Sequence, residues 1–352
     1  MSRADRLTGL LEEQELDSLL VSNLVNVRYL TGFTGTNGAC VVSRDERLFL
    51  TDSRYVEQAK QQVRDFELLE ASRELLGDLA QRLRGRAGFD DAHVSVKAYD
   101  LLREKVADGV ELAPAGGLVE RLRAVKDERE LAAMRAAAAV ADAAYEQLRS
   151  DGLAGRTERD VSRSIVRFLE DEGADEVSFP PIVAAGAHGA LPHAEPRDVE
   201  IPRGTLVVLD LGARVDGYCS DCTRTLATGP LDERLRDGYE VVRAAQAAAL
   251  EEVRAGAVCK EVDEHARERV ESGFGIGFDH GLGHGVGLEV HESPRLARTA
   301  EGALEAGNTV TVEPGLYVPG EFGIRIEDLV AVTERGCEVL TGFPKELVTV
   351  DG

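Results

Sequence analysis

The sequence predicts two domains, an α/β domain over residues 1–123 and an α+β domain over residues 124–352. Three observations lead there. The chain has 352 residues, more than one core of ordinary size accommodates. Short apolar strands alternate with helical patterns up to about residue 120, as an α/β unit requires. A charged stretch, RLRAVKDERE at 121–130, then gives way to a long Ala-rich helical pattern and afterwards to a succession of strands.

In the first half, Leu7, Leu10 and Leu11 sit at helical spacing within residues 5–16, and Ser18–Ser22 reads as a short apolar strand. Ala39–Val42 and Leu48–Thr51 read as a hairpin joined by the polar turn Ser43–Arg47. Val56–Val63 and Glu74–Leu83 read as helices. In the second half, Leu131–Leu148 predicts one helix, and the next begins at Thr157 with Asp160 three residues on, a variant of the capping box. Val161, Ile165, Phe168 and Leu169 form its apolar face. Beyond Gly173 the expected strands are Val207–Gly212, Gly217–Ala227, Thr309–Val312 and Ile324–Val332, with helices over Leu231–Arg254 and Lys260–Glu271.

Hydrophobic residues make up 43% of the chain, which predicts a packed protein rather than a disordered one. No apolar run approaches the roughly 20 residues of a membrane helix. The N-terminus has no continuous apolar segment of secretory type, so a cytoplasmic location is expected. Formal net charge is −23, which argues against nucleic acid or an anionic membrane as partner, because phosphate binding needs a basic patch. Five cysteines in a chain of this size do not suggest a disulfide framework, and the C-x-x-C of Cys219 and Cys222 falls within a strand pattern rather than at a helix start.

The chemistry-bearing residues are acids in unusual places. Asp210 lies in VVLDLGA, an apolar strand where a charge is expensive unless paired or metal-bound. Asp221 follows in YCSDCTRT, with Gly212 and Gly217 available for the turn of a hairpin that brings both aspartates together. Glu313 lies in TVTVEPGLY and Glu327 in GIRIEDLVAV. Any one of these is ordinarily a buried ion-pair member, but four are hard to satisfy without cations. Three of the seven histidines, His280, His284 and His291, fall in DHGLGHGVGLEVHE, whose glycines disfavour a regular helix and favour a loop or strand that presents imidazole. A carboxylate-dominated donor set with one imidazole suits Mn2+ or Co2+ better than a sulfur-rich zinc site. Two such ions would polarise a carbonyl and activate a shared water, so the residues point to metal-assisted hydrolysis.

From about Lys126 onward the ordered motifs ALPHA around His193, LDLGA, CSDCTRT, HGLGHGVGLEVHESP, TVEPGLY and GIRIED resemble the pita-bread metallopeptidase family, which includes methionine aminopeptidase, aminopeptidase P, prolidase and creatinase. The segments NVRYLTGFTGTNGACVV and TDSRY resemble the creatinase-type N-terminal domain of its small Xaa-Pro peptidases. The resemblance implies a creatinase-like domain over 1–123 and a pita-bread catalytic domain over 124–352. It assigns Asp210, Asp221, His284, Glu313 and Glu327 to two divalent ions, Mn2+ ahead of Co2+ or Zn2+. Asp221 and Glu327 would bridge, Asp210 would bind one ion, and His284 with Glu313 the other. Glu313 would also serve as general base. His193, His280 and His291 would bind substrate, with His193 and His291 acting in the chemistry and His291 on the oxyanion. Arg325 would orient ligands or contact substrate. The expected partners are proline-containing peptides and a second subunit in a homodimer. Within the family the resemblance leans to aminopeptidase P, with Xaa-Pro dipeptidase (prolidase) as the alternative and a non-catalytic peptide-binding module as the alternative from another class. Phe179, Pro180 and Pro181 are candidate walls for the proline ring, and His188 reads as a loop residue. Asn26, Tyr29 and Arg54 are weaker candidates for reaching an active site.

Overall fold

The computed structural model describes residues 2–72 and 74–350, which divide into two compact units, Met1–Arg123 and Ala124–Gly352. The first unit begins with helix α1 (Arg3–Glu13), started by a capping box in which Ser2 and Asp5 satisfy each other's backbone amides. There follow β1 (Ser18–Val21), α2 (Leu24–Thr31), β2 (Ala39–Ser43), β3 (Arg47–Thr51), α3 (Val56–Gln62), β4 (Glu67–Glu70), α4 (Leu75–Ala80), β5 (Arg86–Phe89), α5 (Val96–Lys105), β6 (Glu111–Pro114) and α6 (Leu118–Ala124). The six strands form one sheet in the order β4-β3-β2-β1-β5-β6. β2 and β3 pair antiparallel, as the hairpin pattern predicts, while β1–β5, β5–β6 and β3–β4 are parallel. Leu20, Val41, Leu48 and Leu50 of the sheet pack with Leu79, Leu83 and Leu102 as its core.

The second unit opens with α7 (Glu128–Asp151) and α8 (Glu158–Asp171). α7 starts three residues before its apolar pattern does, because Asp127 and Glu130 form a capping box that carries the helix back over the charged segment. The Thr157 side chain caps α8 by accepting from the Asp160 amide. Val161, Ile165 and Leu169 are buried as the periodicity predicts, with Phe168 half-buried.

The chain continues through β7 (Glu176–Val177), β8 (Ile182–Ala185), a 3-10 turn over Gly186–Ala190, β9 (Leu206–Leu211), β10 (Ala213–Val215), β11 (Tyr218–Cys219) and β12 (Cys222–Ala227). After α9 (Glu233–Glu252) and α10 (Cys259–Phe274) come β13 (Gly283–Gly285), β14 (Glu292–Leu296), β15 (Thr309–Val312), β16 (Gly315–Val318), β17 (Phe322–Arg325), β18 (Asp328–Val332) and β19 (Cys337–Val339). One sheet runs β12-β9-β8 and a second β14-β13-β15-β18-β19. The first packs Val183, Leu209 and Leu211 against Tyr145, Leu148, Val161 and Ile165 of α7 and α8. The second packs Val310, Val312 and Val330 against Val242, Ala245, Val262 and Val270 of α9 and α10.

Two further features tie these layers together. The Tyr145 hydroxyl lies 2.9 Å from the carbonyl of Leu209 and 2.8 Å from that of Cys222, so one phenol from α7 serves both β9 and β12. On β12, Arg224 is fully buried and binds the Asp328 carboxylate at 2.8 Å, the carbonyl of Phe343 and the carbonyl of Glu327. Asp328 also accepts from Gln246 and Lys345. Removing one partner of such a pair leaves a buried charge uncompensated. Arg224→Met should therefore lower the stability of this unit by about 3–5 kcal/mol. The denaturation midpoint of the variant measures it, and an unchanged midpoint would contradict the network's structural role.

Candidate active site

The four acids converge, but only Asp210 lies inside a strand. Asp221 immediately precedes β12, Glu313 immediately follows β15, and Glu327 occupies the break between β17 and β18. The sequence reading of four in-strand carboxylates is corrected in this respect. Pro314 has no amide to extend a ladder past Glu313, and strand pairing is interrupted at Ile326–Glu327, so these two glutamates sit at strand ends.

Pairing explains the convergence. β9 and β12 run antiparallel with Asp210 opposite Thr223, which places Asp221 two residues beyond that pair. β13 pairs with β15 and brings His284 beside Thr311 and Glu313. Glycine is required at 283: a Cβ there would overlap the Thr311 carbonyl. The glycine-rich segment is thus a strand that lets backbones approach closely while presenting imidazole.

Four of the five ligand candidates are oriented from behind. Thr223 Oγ1 donates to Glu327 Oε2 at 2.7 Å, and Thr311 Oγ1 donates to Glu313 Oε1 at 3.2 Å. Arg325 Nη2 donates to Asp210 Oδ2 at 2.6 Å. His284 Nδ1 lies 3.1 Å from the Gly285 carbonyl, which leaves Nε2 as the bare nitrogen, 3.6 Å from Asp221 Oδ2 and 3.4 Å from Glu313 Oε1. Donor atoms of Asp221, His284 and Glu327 all fall within 4.8 Å of one another. Asp210 Oδ1 is buried with no hydrogen-bond partner in the protein.

The electrostatics ask for cations. Burial, then repulsion from Glu327, Asp210 and Glu313, pushes the Asp221 carboxyl far above its usual range. Glu327 is raised likewise by burial and by Glu313 and Asp210, and burial lifts Glu313 to about 8. An oxygen-rich set with one bare imidazole nitrogen, an orphaned carboxylate oxygen and a single adjacent guanidinium fits hard divalent ions.

The ligand candidates border a cavity of about 440 Å³, lined also by Phe179, Pro192, His193, His280, His291, Arg295 and Arg325. His193 and His291 are exposed at its rim, and the His291 ring lies 4.4 Å from that of His284. His280 and Arg325, the other two residues expected to meet substrate, line the same cavity and are hydrogen-bonded within the protein. His280 Nδ1 is 2.7 Å from the Gly281 carbonyl and Nε2 is 3.0 Å from the Tyr317 hydroxyl, so both nitrogens are engaged by protein. Arg325 donates to Thr223, Tyr317, the Pro192 carbonyl and Asp210. Phe179 lines the cavity but Pro180 and Pro181 do not. His188 is indeed a loop residue, held by Glu158. Asn26 and Tyr29 are buried within the first unit, and Arg54 pairs with Asp52. Sequence reading missed Arg295, Tyr317 and the threonines. Only Thr223, alternating with Arg224 and Thr225 in CTRT, left a signal.

Residues 132–334 match the model of metallopeptidase family M24, and residues 3–125 match that of the creatinase/prolidase N-terminal domain. The chain is 34% identical over 352 residues to an Xaa-Pro dipeptidase of Pyrococcus furiosus, covering 98% of this chain and 99% of the relative. The structure is similar to an Xaa-Pro dipeptidase from Bacillus anthracis, with a TM-score of 0.95, 38% identity and 99% of each chain covered. It is also similar to an X-Pro aminopeptidase from Thermotoga maritima, with a TM-score of 0.91, 34% identity, and 99% and 100% of the two chains covered.

The charge cluster predicts how metal-free protein responds to pH. The folded state keeps the Glu313 proton to about 8, whereas an ordinary glutamate loses it near 4.5, so folding is disfavoured progressively as pH rises through that window. Burial holds His280 and His284 near 4 against an ordinary 6.5, which acts in the opposite sense but only below 6.5. Between pH 6.5 and 8, Tm in EDTA should fall with rising pH. Saturating Mn2+ should raise Tm and flatten the slope. A flat EDTA profile with no Mn2+ shift would contradict the assignment.

Proposed function

The chain belongs to metallopeptidase family M24, and from that premise we propose that it is a two-metal Xaa-Pro peptidase whose preferred substrates are dipeptides. Its fold is the creatinase-like α/β domain and α+β pita-bread domain of that family, and we take residues 1–123 and 124–352 as their extents. The non-catalytic module is set aside.

The observation that carries the reading is the buried carboxylate–imidazole cluster opening onto a cavity with a charged rim. Asp210, Asp221, His284, Glu313 and Glu327 would hold two divalent cations, with Mn2+ ahead of Co2+ or Zn2+ for so oxygen-rich a set. Bound there, the cations would supply Lewis acidity at the scissile carbonyl and make water acidic enough to attack at neutral pH. Glu313 takes the proton of the attacking water and passes it to the prolyl nitrogen. That nitrogen has no proton of its own in the peptide and must gain one to leave. His291 donates to the developing oxyanion, and His193 steadies the peptide at the rim. Phe179 offers the proline ring an apolar wall.

Arg295 turns the reading toward dipeptides. It lines the cavity, its charge is felt by His284 and His291, and among the described residues no carboxylate pairs with it. A guanidinium so placed suits the free carboxylate of an Xaa-Pro dipeptide. The relatives named as dipeptidases favour the same choice, against the lean of the sequence segments. The X-Pro aminopeptidase likeness keeps aminopeptidase P as the second reading. The homodimer and cytoplasmic location expected from sequence accompany either reading.

A panel of Xaa-Pro, Xaa-Pro-Yaa and Xaa-Pro-amide, assayed with Mn2+, Co2+ and Zn2+, tests this. Xaa-Pro should give the highest kcat/KM. Arg295→Met should raise KM for Xaa-Pro roughly tenfold or more and leave the amide unaffected, as loss of one charge-assisted contact predicts. Preference for the longer peptides, indifferent to Arg295, would establish the aminopeptidase reading instead. Asp221→Ala or Glu327→Ala should abolish activity and bound metal together. His291→Ala should lower kcat with metal content retained, and loss of both ions from that variant would contradict its role.

A further inference from the structure

Outside the metal cluster, one carboxylate gathers an unusual number of donors. Glu158, the first residue of α8, is 1% exposed. Its Oε1 accepts from the Ala185 amide at 3.0 Å, and its Oε2 from the Arg197 amide at 3.0 Å. The Arg197 guanidinium adds Nε to Oε2 and Nη2 to Oε1, both at 3.1 Å. His188 Nδ1 lies 3.0 Å from Oε1 and 2.9 Å from Oε2. Burial by itself would raise this carboxyl, but Arg197, the two backbone amides and His188 outweigh it and hold it below the usual range.

The donors come from the start, middle and end of one segment. Ala185 closes β8, His188 sits in the 3-10 turn, and Arg197 lies where the chain rejoins α8. Backbone bonds from Glu158 to Val199 and from Arg159 to Arg197 continue the attachment. The segment so closed carries Pro192 and His193 into the cavity wall. On its far side the 3-10 turn packs Gly189 against the backbone of Gly323 in β17, and beyond the turn Arg325 donates to the Pro192 carbonyl. His193 itself stands on an exposed loop outside helix and strand.

We propose that Glu158 is a positioning residue for His193, clamping both ends of the 185–197 loop so that the imidazole meets substrate from a fixed place. This rests on the reading of His193 as a substrate contact. A multidentate carboxylate suits the task, because closing the loop at one point removes most of its freedom. Glutamine is a poor substitute, since its NH2 group would face donors on every side.

The test compares Glu158→Gln, His193→Ala and the double variant. Glu158→Gln should lower kcat/KM on Xaa-Pro by about tenfold with metal content unchanged, in keeping with the cost of a displaced contact group. The double variant should be no worse than His193→Ala, because both changes remove one function. Losses that multiply, or no loss in the single variant, would overturn the proposal. If Glu158→Gln does not fold, Arg197→Ala removes one arm of the clamp and should show a smaller loss with the same non-additivity. Hydrogen exchange over residues 186–197 separates this from the functional reading. Faster exchange in Glu158→Gln supports the clamp even if no proline peptide is cleaved, and unchanged exchange refutes it.

Discussion

Like-charge repulsion among buried carboxylates is the constraint around which the second unit is built. At an effective dielectric of about 20, two unit charges 4 Å apart cost roughly 4 kcal/mol. Asp210, Asp221, Glu313 and Glu327 repel one another, with Asp221 and Glu327 within 4.8 Å, and the adjacent Arg325 supplies one positive charge. One guanidinium cannot balance four acids. The geometry therefore suits a cation site, with Arg325 and two threonine hydroxyls bonded to three of the four carboxylates.

Strand β12 translates that constraint into a fold. Thr223 and Thr225 point to one side, where Thr223 meets Glu327 and Thr225 exchanges bonds of 3.0 Å with the backbone of Arg325. Arg224 points to the other, where it closes on Asp328 and the Phe343 carbonyl. Alternation along three residues thus fixes the ligand-bearing bend on one face and anchors it to the chain's last segment on the other. The same strand pairs with β9, so Asp210 and Glu327 are placed by neighbouring residues of a single template.

How much of this was legible depended on distance along the chain. The strand pattern around Asp210 and the helix face of Val161, Ile165 and Leu169 are local and were readable from periodicity alone. So was the glycine-rich presentation of His284. The strand-end placement of Glu313 was half legible, since Pro314 marks where a ladder must stop. What could not be read were roles created by contacts far apart in sequence. Arg325 meets Asp210 across 115 positions, and nothing beside either residue announces the other. His280 looked like its neighbouring histidines until Tyr317 took its second nitrogen. Glu158 is by position alone an ordinary first-turn acid, favourable at a helix N-terminus, and its donors lie beyond the next strand.

Tyr145 gives the long helix a mechanical meaning. α7 is a rod of 24 residues, about 36 Å long, with its capping box at one end and its phenol near the other. That phenol touches β9 one residue before Asp210 and β12 one residue after Asp221. One hydroxyl thus sits next to both aspartates in the chain, as a single pin through two linked parts. The two strands that carry the aspartates are thereby tied to a single atom of the helix.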